Sequence, residues 1–322
     1  MQKTLIFLSF GTTFFALGFA ASSIFYNEKI IQSSEIRAPG NYKFINPLLS
    51  CDTPFTNQDV NTSRLKHKVE QIVEDQIDKK QISFASVYYR DMNNGPWFGI
   101  EEKELFSPAS LIKVPLMIAY FKQAENDPNF LHTKLANNVP HDPSQNIIPS
   151  TTLTPNQEYT IEELIERMIK YSDNDAYYLL HKNMREENIL RIYADLGIDL
   201  SPAVNNPGGN IISVKNYASF FRVLFNASYL NPEMSEKALA ILNQSEYKDG
   251  IVNGLPKNTI VAHKFGERQY EATGDKQLHD CGIVYSSSNP YLICIMTRGR
   301  EFSKMSRTVQ QISSEIHRQL SL

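Results

Sequence analysis

The chain has almost no excess charge. Its 322 residues carry 32 Lys and Arg against 35 Asp and Glu, a formal net charge of −3. That balance implies no polyanion, and nucleic acid is not an expected partner. No period of roughly 20–50 residues recurs, which excludes a solenoid. Cysteine is scarce: Cys51, Cys281 and Cys294 are all there is. No C-x-x-C and no Cys/His ligand spacing is present, so neither a metal nor another cofactor is expected. Cys281 and Cys294 lie in apolar, strand-like runs and read as buried thiols. An odd count leaves at least one cysteine unpaired within the chain.

Charge is also missing at the N-terminus, where none appears between Lys3 and Glu28. The run TLIFLSFGTTFFALGFAASSIFY is long enough to cross a bilayer as a helix. A signal peptide would use 5–17 as its apolar region and be cut near Ala20 or Ser22. An uncleaved anchor would use the whole run through Ile24, Phe25 and Tyr26. The anchor is preferred, because apolar residues continue past the only cut site. Under either reading the rest of the chain is exported. Residues 27–60 lack helical or strand periodicity, are rich in Asn, Ser and Pro, and read as a linker. Cys51 lies too far beyond the apolar run to be a lipidated cysteine.

What is present is an ordinary folded-domain composition, 42% hydrophobic and 21% charged. SRLKHKVEQIVEDQIDKK (63–80) has helical spacing. Strand-like 82–90 and 96–100 follow, joined by Met92-Asn93-Asn94-Gly95, a hairpin signal. Helical patterns occupy 109–124, 160–171, 175–184, 186–196, 213–227 and 233–244. Strands return at 259–266, 279–286 and 291–299, before a final helix at 303–319. The economical assembly is an α+β domain over 61–322. A five-stranded antiparallel sheet is built from both ends, and the terminal helices cover one face. An all-helical subdomain, about 109–250, is inserted between strands two and three. A cleft is expected where the insert meets the sheet.

Three short motifs fall around that cleft. In SPASLIKVPLMIAYF, Ser110 and Lys113 are three apart, so on a helix they share a face. Ser107 and Pro108 read as N-cap and first helical residue. A helix N-terminus and apolar surroundings both disfavour an ammonium and push Lys113 toward the neutral amine, a base for the serine. Pro115 resists this helix, and propensity alone would start it there. YSDND places Ser172, Asp173 and Asn174 between two helices. AHKFGER places Lys264, Phe265 and Gly266 on the first strand after the insert. Each motif alone is weak.

Together, and in this order, they resemble S-x-x-K, S-D-N and K-[ST]-G, the signature of class A β-lactamases and penicillin-binding proteins. The resemblance covers about 61–320. It implies that Ser110 is the acylated nucleophile and Lys113 its base. Ser172 would pass the proton to the leaving nitrogen. Lys264, followed by Gly266, would support that hydroxyl and a substrate carboxylate. Asn174 would hydrogen-bond the substrate amide, while Asp173 holds the turn. The backbone N–H groups of Ser110 and Glu267 would form the oxyanion hole.

Two departures stand out. Position 265 is Phe where the family carries Ser or Thr, so a hydroxyl for the substrate carboxylate is missing. The segment IDLSPAVNNPGGNIIS, after Leu196-Gly197, contains no glutamate where class A enzymes carry the deacylating one. Its only acid is Asp199. The expected activity is therefore acyl transfer through Ser110, with β-lactams or cell-wall peptides as donors and slow release. Alternatives are a D,D-peptidase-like penicillin-binding enzyme, or a non-catalytic cell-wall-binding domain. A monomer is expected, with the membrane as partner through the N-terminal helix.

Overall fold

The computed structural model describes residues 34–37, 40–52, 60–93, 95–148, 152–200, 209–286 and 289–321. The chain divides into two units, Met1–Ser34 with Cys51–Thr56, and Glu35–Ser50 with Asn57–Leu322. The expected anchor at 1–26 lies outside the described residues. Among the described residues no helix is long and apolar enough to cross a membrane. The fold and the site belong to the second unit.

After residues 35–50, that unit continues with helix α1 (Val60–Asp78), then strands β1 (Phe84–Asp91) and β2 (Trp97–Ile100). It closes with β3 (Ile260–Gln269), β4 (Lys276–Tyr285), β5 (Pro290–Gly299) and a last helix, Phe302–Leu320. The five strands form one antiparallel sheet in the order β2-β1-β5-β4-β3. This is the α+β architecture read from the pattern. Alternation along β5 explains its two-sided burial. Leu292, Cys294 and Met296 face the core shared with the inserted helices. Tyr291, Ile293 and Ile295 face Leu65, Val69, Val309 and Ile312 on the terminal helices.

Between β2 and β3 come α2 (Lys113–Ala124), α3 (Ile161–Lys170), α4 (Asn174–Lys182), α5 (Glu186–Asp195), α6 (Val214–Phe225) and α7 (Pro232–Leu242). The last helix is α8 in this numbering. Local chemistry sets several starts. Thr160 and Glu163 form a reciprocal capping box on α3 at 3.1 and 2.7 Å. Asp173 caps α4 by accepting from Ala176 N–H at 3.1 Å.

Two findings differ from the sequence reading. Cys281 and Cys294 are joined by a disulfide and are not free thiols. Antiparallel register places them directly opposite each other on β4 and β5, which brings the sulfurs together. Within the segment read as a linker, Phe44 and Ile45 are buried. The backbone N–H groups of Lys43, Phe44 and Ile45 donate to the Glu236 carboxylate at 2.9–3.2 Å. Two buried apolar side chains and these backbone hydrogen bonds dock the stretch on the domain.

Candidate active site

The nucleophile candidate does not sit in an α-helix. Residues Ala109–Ile112 form a tight 3₁₀ turn, and α2 proper begins at Lys113. That resolves Pro115. It falls in the first turn of α2, where its missing N–H has no partner to lose. Ser107 does not cap the turn, contrary to the sequence reading. Its N–H donates to Gln277 Oε1 at 3.0 Å, and its carbonyl accepts from His279 Nε2 at 3.0 Å. Burial holds His279 at about 4, so the ring is neutral. Both anchors stand on β4 and tie the turn to the sheet. Ala109 just before the nucleophile has φ of 46°, a left-handed conformation that costs a non-glycine residue about 1–2 kcal/mol.

Gly266 permits the close approach of the turn to β3. A Cβ there would lie 3.1 Å from Pro108 O and 3.2 Å from Leu111 N. The edge strand and the turn carrying Ser110 therefore meet backbone to backbone, which places Glu267 beside that turn.

Five side chains then converge, from the 3₁₀ turn, α2, the α3–α4 turn, α4 and β3. Lys113 Nζ lies 3.1 Å from Ser110 Oγ and 3.2 Å from Ser172 Oγ. It donates to the Ser172 carbonyl and to Asn174 Oδ1, the latter at 2.7 Å. Lys264 Nζ donates to Ser172 Oγ at 2.9 Å and to Phe265 O at 2.8 Å. The Ser172 hydroxyl thus bridges two amines. Ser172 itself has φ of 55°, which turns its carbonyl toward Lys113. Asp173 holds that turn as expected, paired with Arg167 at 3.0 Å while it caps α4.

Electrostatics favour a base. Lys113 and Lys264 are both buried. Desolvation lowers Lys113 to about 7, partly opposed by Asp173, Asp142 and Glu267. Lys264 is pushed well below its ordinary value by burial first and by Lys113 second. A neutral Lys113 has two hydrogens, and the Ser172 carbonyl and Asn174 Oδ1 take both. Its lone pair is left for the Ser110 hydroxyl.

A loop not identified from the sequence completes the site. Residues 141–147 cross from α4 to β3. Asp142 N–H donates to the buried Asp175 at 2.8 Å, and Gln145 Nε2 donates to the Ser172 carbonyl at 2.5 Å. The N–H groups of Asn146 and Ile147 donate to Glu267 Oε1 at 2.8 and 3.0 Å. Asn174 Nδ2 donates to Asp142 Oδ2 at 3.2 Å and to Ser144 Oγ at 3.3 Å. Asp173, Asp142 and Glu267 thus act on Lys113, and Asp280 and Glu267 on Lys264. Asp199 is exposed beyond the end of α5. The Phe265 ring faces the opposite core, stacked on Tyr247 at 4.2 Å. Arg268 on β3 and Tyr270 just past its end line a cavity of about 590 Å³ with Asn210, Lys276, Gln277 and Arg298.

Residues 64–320 match the model of the β-lactamase enzyme family. The chain belongs to this β-lactamase family. Its fold is similar to that of PBP-A, at 20% identity and a TM-score of 0.66, over 80% of this chain and 95% of that one. A point mutant of PBP-A, solved as an acyl-enzyme complex with penicillin-G, gives 20% identity and 0.64, over 80% and 96%. The TLA-1 extended-spectrum β-lactamase gives 16% and 0.68, over 81% of this chain and 100% of that one. No curated protein matches the chain. For this β-lactamase-family chain the structure brings together Ser110, Lys113, Ser172, Asn174 and Lys264, the residues named from the sequence. The sequence reading did not name Asp142 or Gln145. The length of the stretch between α2 and α3 was the available signal, since long connections without periodicity are usually functional.

Proposed function

We propose that the protein is a serine acyltransferase or hydrolase that forms an acyl-enzyme at Ser110 with β-lactams or related cell-wall peptides, and releases it slowly. One observation carries this reading: the unbroken chain Ser110 Oγ, Lys113 Nζ, Ser172 Oγ, Lys264 Nζ, with steps of 3.1, 3.2 and 2.9 Å. In the proposed reaction Lys113 accepts the Ser110 proton as Oγ attacks the acyl carbon. The N–H groups of Ser110 and Glu267 receive the developing oxyanion. Ser172 donates its proton to the leaving nitrogen and is reprotonated from the lysine pair. The ester then awaits water.

Slow release follows from the residues available to activate that water. Asp199 is exposed, and Asp142 is engaged by Asn174 and by the turn of the 141–147 loop at Ser144. The D,D-peptidase-like reading uses the same acylation steps and differs only in the acceptor. A purely binding role leaves the lowered Lys113 beside Ser110 without a purpose. The export and membrane anchoring expected from the N-terminus belong to this proposal too, and a disulfide fits an oxidising compartment. The decisive variant is Ser110→Ala exposed to a penicillin. Loss of the mass adduct supports the assignment, and an adduct on the Ala variant overturns it.

A further inference from the structure

One carboxylate beside the lysine site has no cation of its own. Asp173 is paired with Arg167 and Asp175 with His141, whereas no salt bridge among the described residues uses Asp142. Hydrogen bonds fix its place. Oδ1 accepts from Ser144 N–H at 2.9 Å, Oδ2 accepts from Asn174 Nδ2 at 3.2 Å, and the exposed Tyr178 on α4 donates its hydroxyl to the same carboxylate. Burial raises Asp142, but the bonds from Ser144, Tyr178 and Asn174 outweigh it and hold the carboxyl below its ordinary value, so it is an anion at neutral pH. Asn174 links this anion to the reacting groups. Its Oδ1 accepts from Lys113 Nζ at 2.7 Å, and that amine lies 3.1 Å from Ser110 Oγ. The two Nδ2 hydrogens go to Asp142 and, at 3.3 Å, to Ser144 Oγ. The bond to Ser144 is the weaker of the two, being longer and made to a neutral hydroxyl on an exposed residue.

We propose that Asp142 is a specificity-determining residue that selects acyl donors carrying an ammonium group beside the acyl amide. The inference rests on the acyl-transfer reading of Ser110, with Asn174 as the group that meets the donor's amide. A donor carbonyl takes the Nδ2 hydrogen now given to Ser144, and the one given to Asp142 stays. Two acceptors on one NH₂ group sit roughly 5 Å apart at ordinary hydrogen-bond lengths. An ammonium on the carbon next to the donor carbonyl spans that gap and pairs with Asp142. A donor without it leaves its carbonyl oxygen facing an anion across a half-buried place, where charge is screened less than in water. Peptides with a free amine next to the acyl amide belong to the favoured class, and so do aminopenicillins.

The test compares benzylpenicillin with its α-amino counterpart, which differ by that one group, on the full-length chain. It is run at about pH 6.5, where an α-amine is largely protonated. Second-order rates of adduct formation at Ser110 are read by mass spectrometry. Intrinsic ring reactivity cancels when the amino-to-parent rate ratio is compared between wild type and Asp142→Asn. The ratio is expected to fall by roughly fivefold in the variant, the effect of two unit charges about 4 Å apart even with water's screening. Asp142→Ala is expected to lower it too, and keeps the test decisive if the Asn variant does not fold. A ratio that stays within twofold, with both rates moving together, reduces Asp142 to a support for Asn174 and overturns the selection. Absence of any Ser110 adduct with either donor, in wild type and variants alike, removes the acyl-transfer reading and this inference with it.

Discussion

At the scale of residues, the candidate site buries two amines around one hydroxyl. Lys113 meets Ser110 and Ser172, and desolvation lowers it to about 7. The direction matters for rate. Below that value the amine is protonated and cannot take the serine proton, and above it the free base accumulates. Acylation by a penicillin is therefore expected to climb as pH rises through about 7 and then level. The check is the adduct rate across pH 5–9, a range of about two units either side of neutrality. A rate flat over that range would make Lys113 a structural lysine. Lys113→Ala is expected to slow acylation by about 10²–10⁴. The Ser, Lys and Asn positions were legible because short fixed spacings carry them. Asp142 and Gln145 were not, because they reach the site through a loop whose path is set by Asp175, Ser172 and Glu267, far away in sequence.

At the scale of elements, the α-helices and the five strands of the main sheet were legible, since each has apolar residues at its own period, whereas the short strand pairs Ser34–Arg37 with Leu48–Asp52, Leu105–Phe106 with Ile212–Ser213 and Lys134–Ala136 with Glu158–Thr160 are too short to show one. The capping box at Thr160 and Glu163 and the β1–β2 hairpin are local chemistry, visible in any window. What escaped is where regular structure breaks. The 3₁₀ turn under Ser110 has an uncapped start and a left-handed alanine, conformations that propensity disfavours. It is held by partners on β4, Gln277 and His279, about 170 residues away. Gly266 gains its meaning only from that turn, because the atoms its Cβ would strike belong to Pro108 and Leu111. The disulfide was hidden for a related reason. Only the β4–β5 register sets Cys281 opposite Cys294, and the same cross-strand row sets Cys281 opposite Lys264. The bond thus ties β5 to β4, the strand that pairs with the one carrying that lysine.

At the scale of the whole molecule, the sheet takes strands from both chain ends, and the site forms where the inserted helices meet its free edge, β3. The N-terminal anchor belongs to the proposal above. Fractionation of the full-length chain is expected to leave it with membranes, beginning at residue 1 or 2. A soluble product beginning at residues 20–24 would instead support signal cleavage. Neither result touches the chemistry at Ser110, which is the central claim. Its most direct test is the time course of penicillin adduct on the intact wild-type protein, read together with ring opening. A stoichiometric burst is expected, with one adduct at Ser110 that persists for minutes or longer, because hydrolysis lacks the 10²–10⁴ that a positioned base typically supplies. Rapid multiple turnover without a burst, or no adduct at all, would contradict the account.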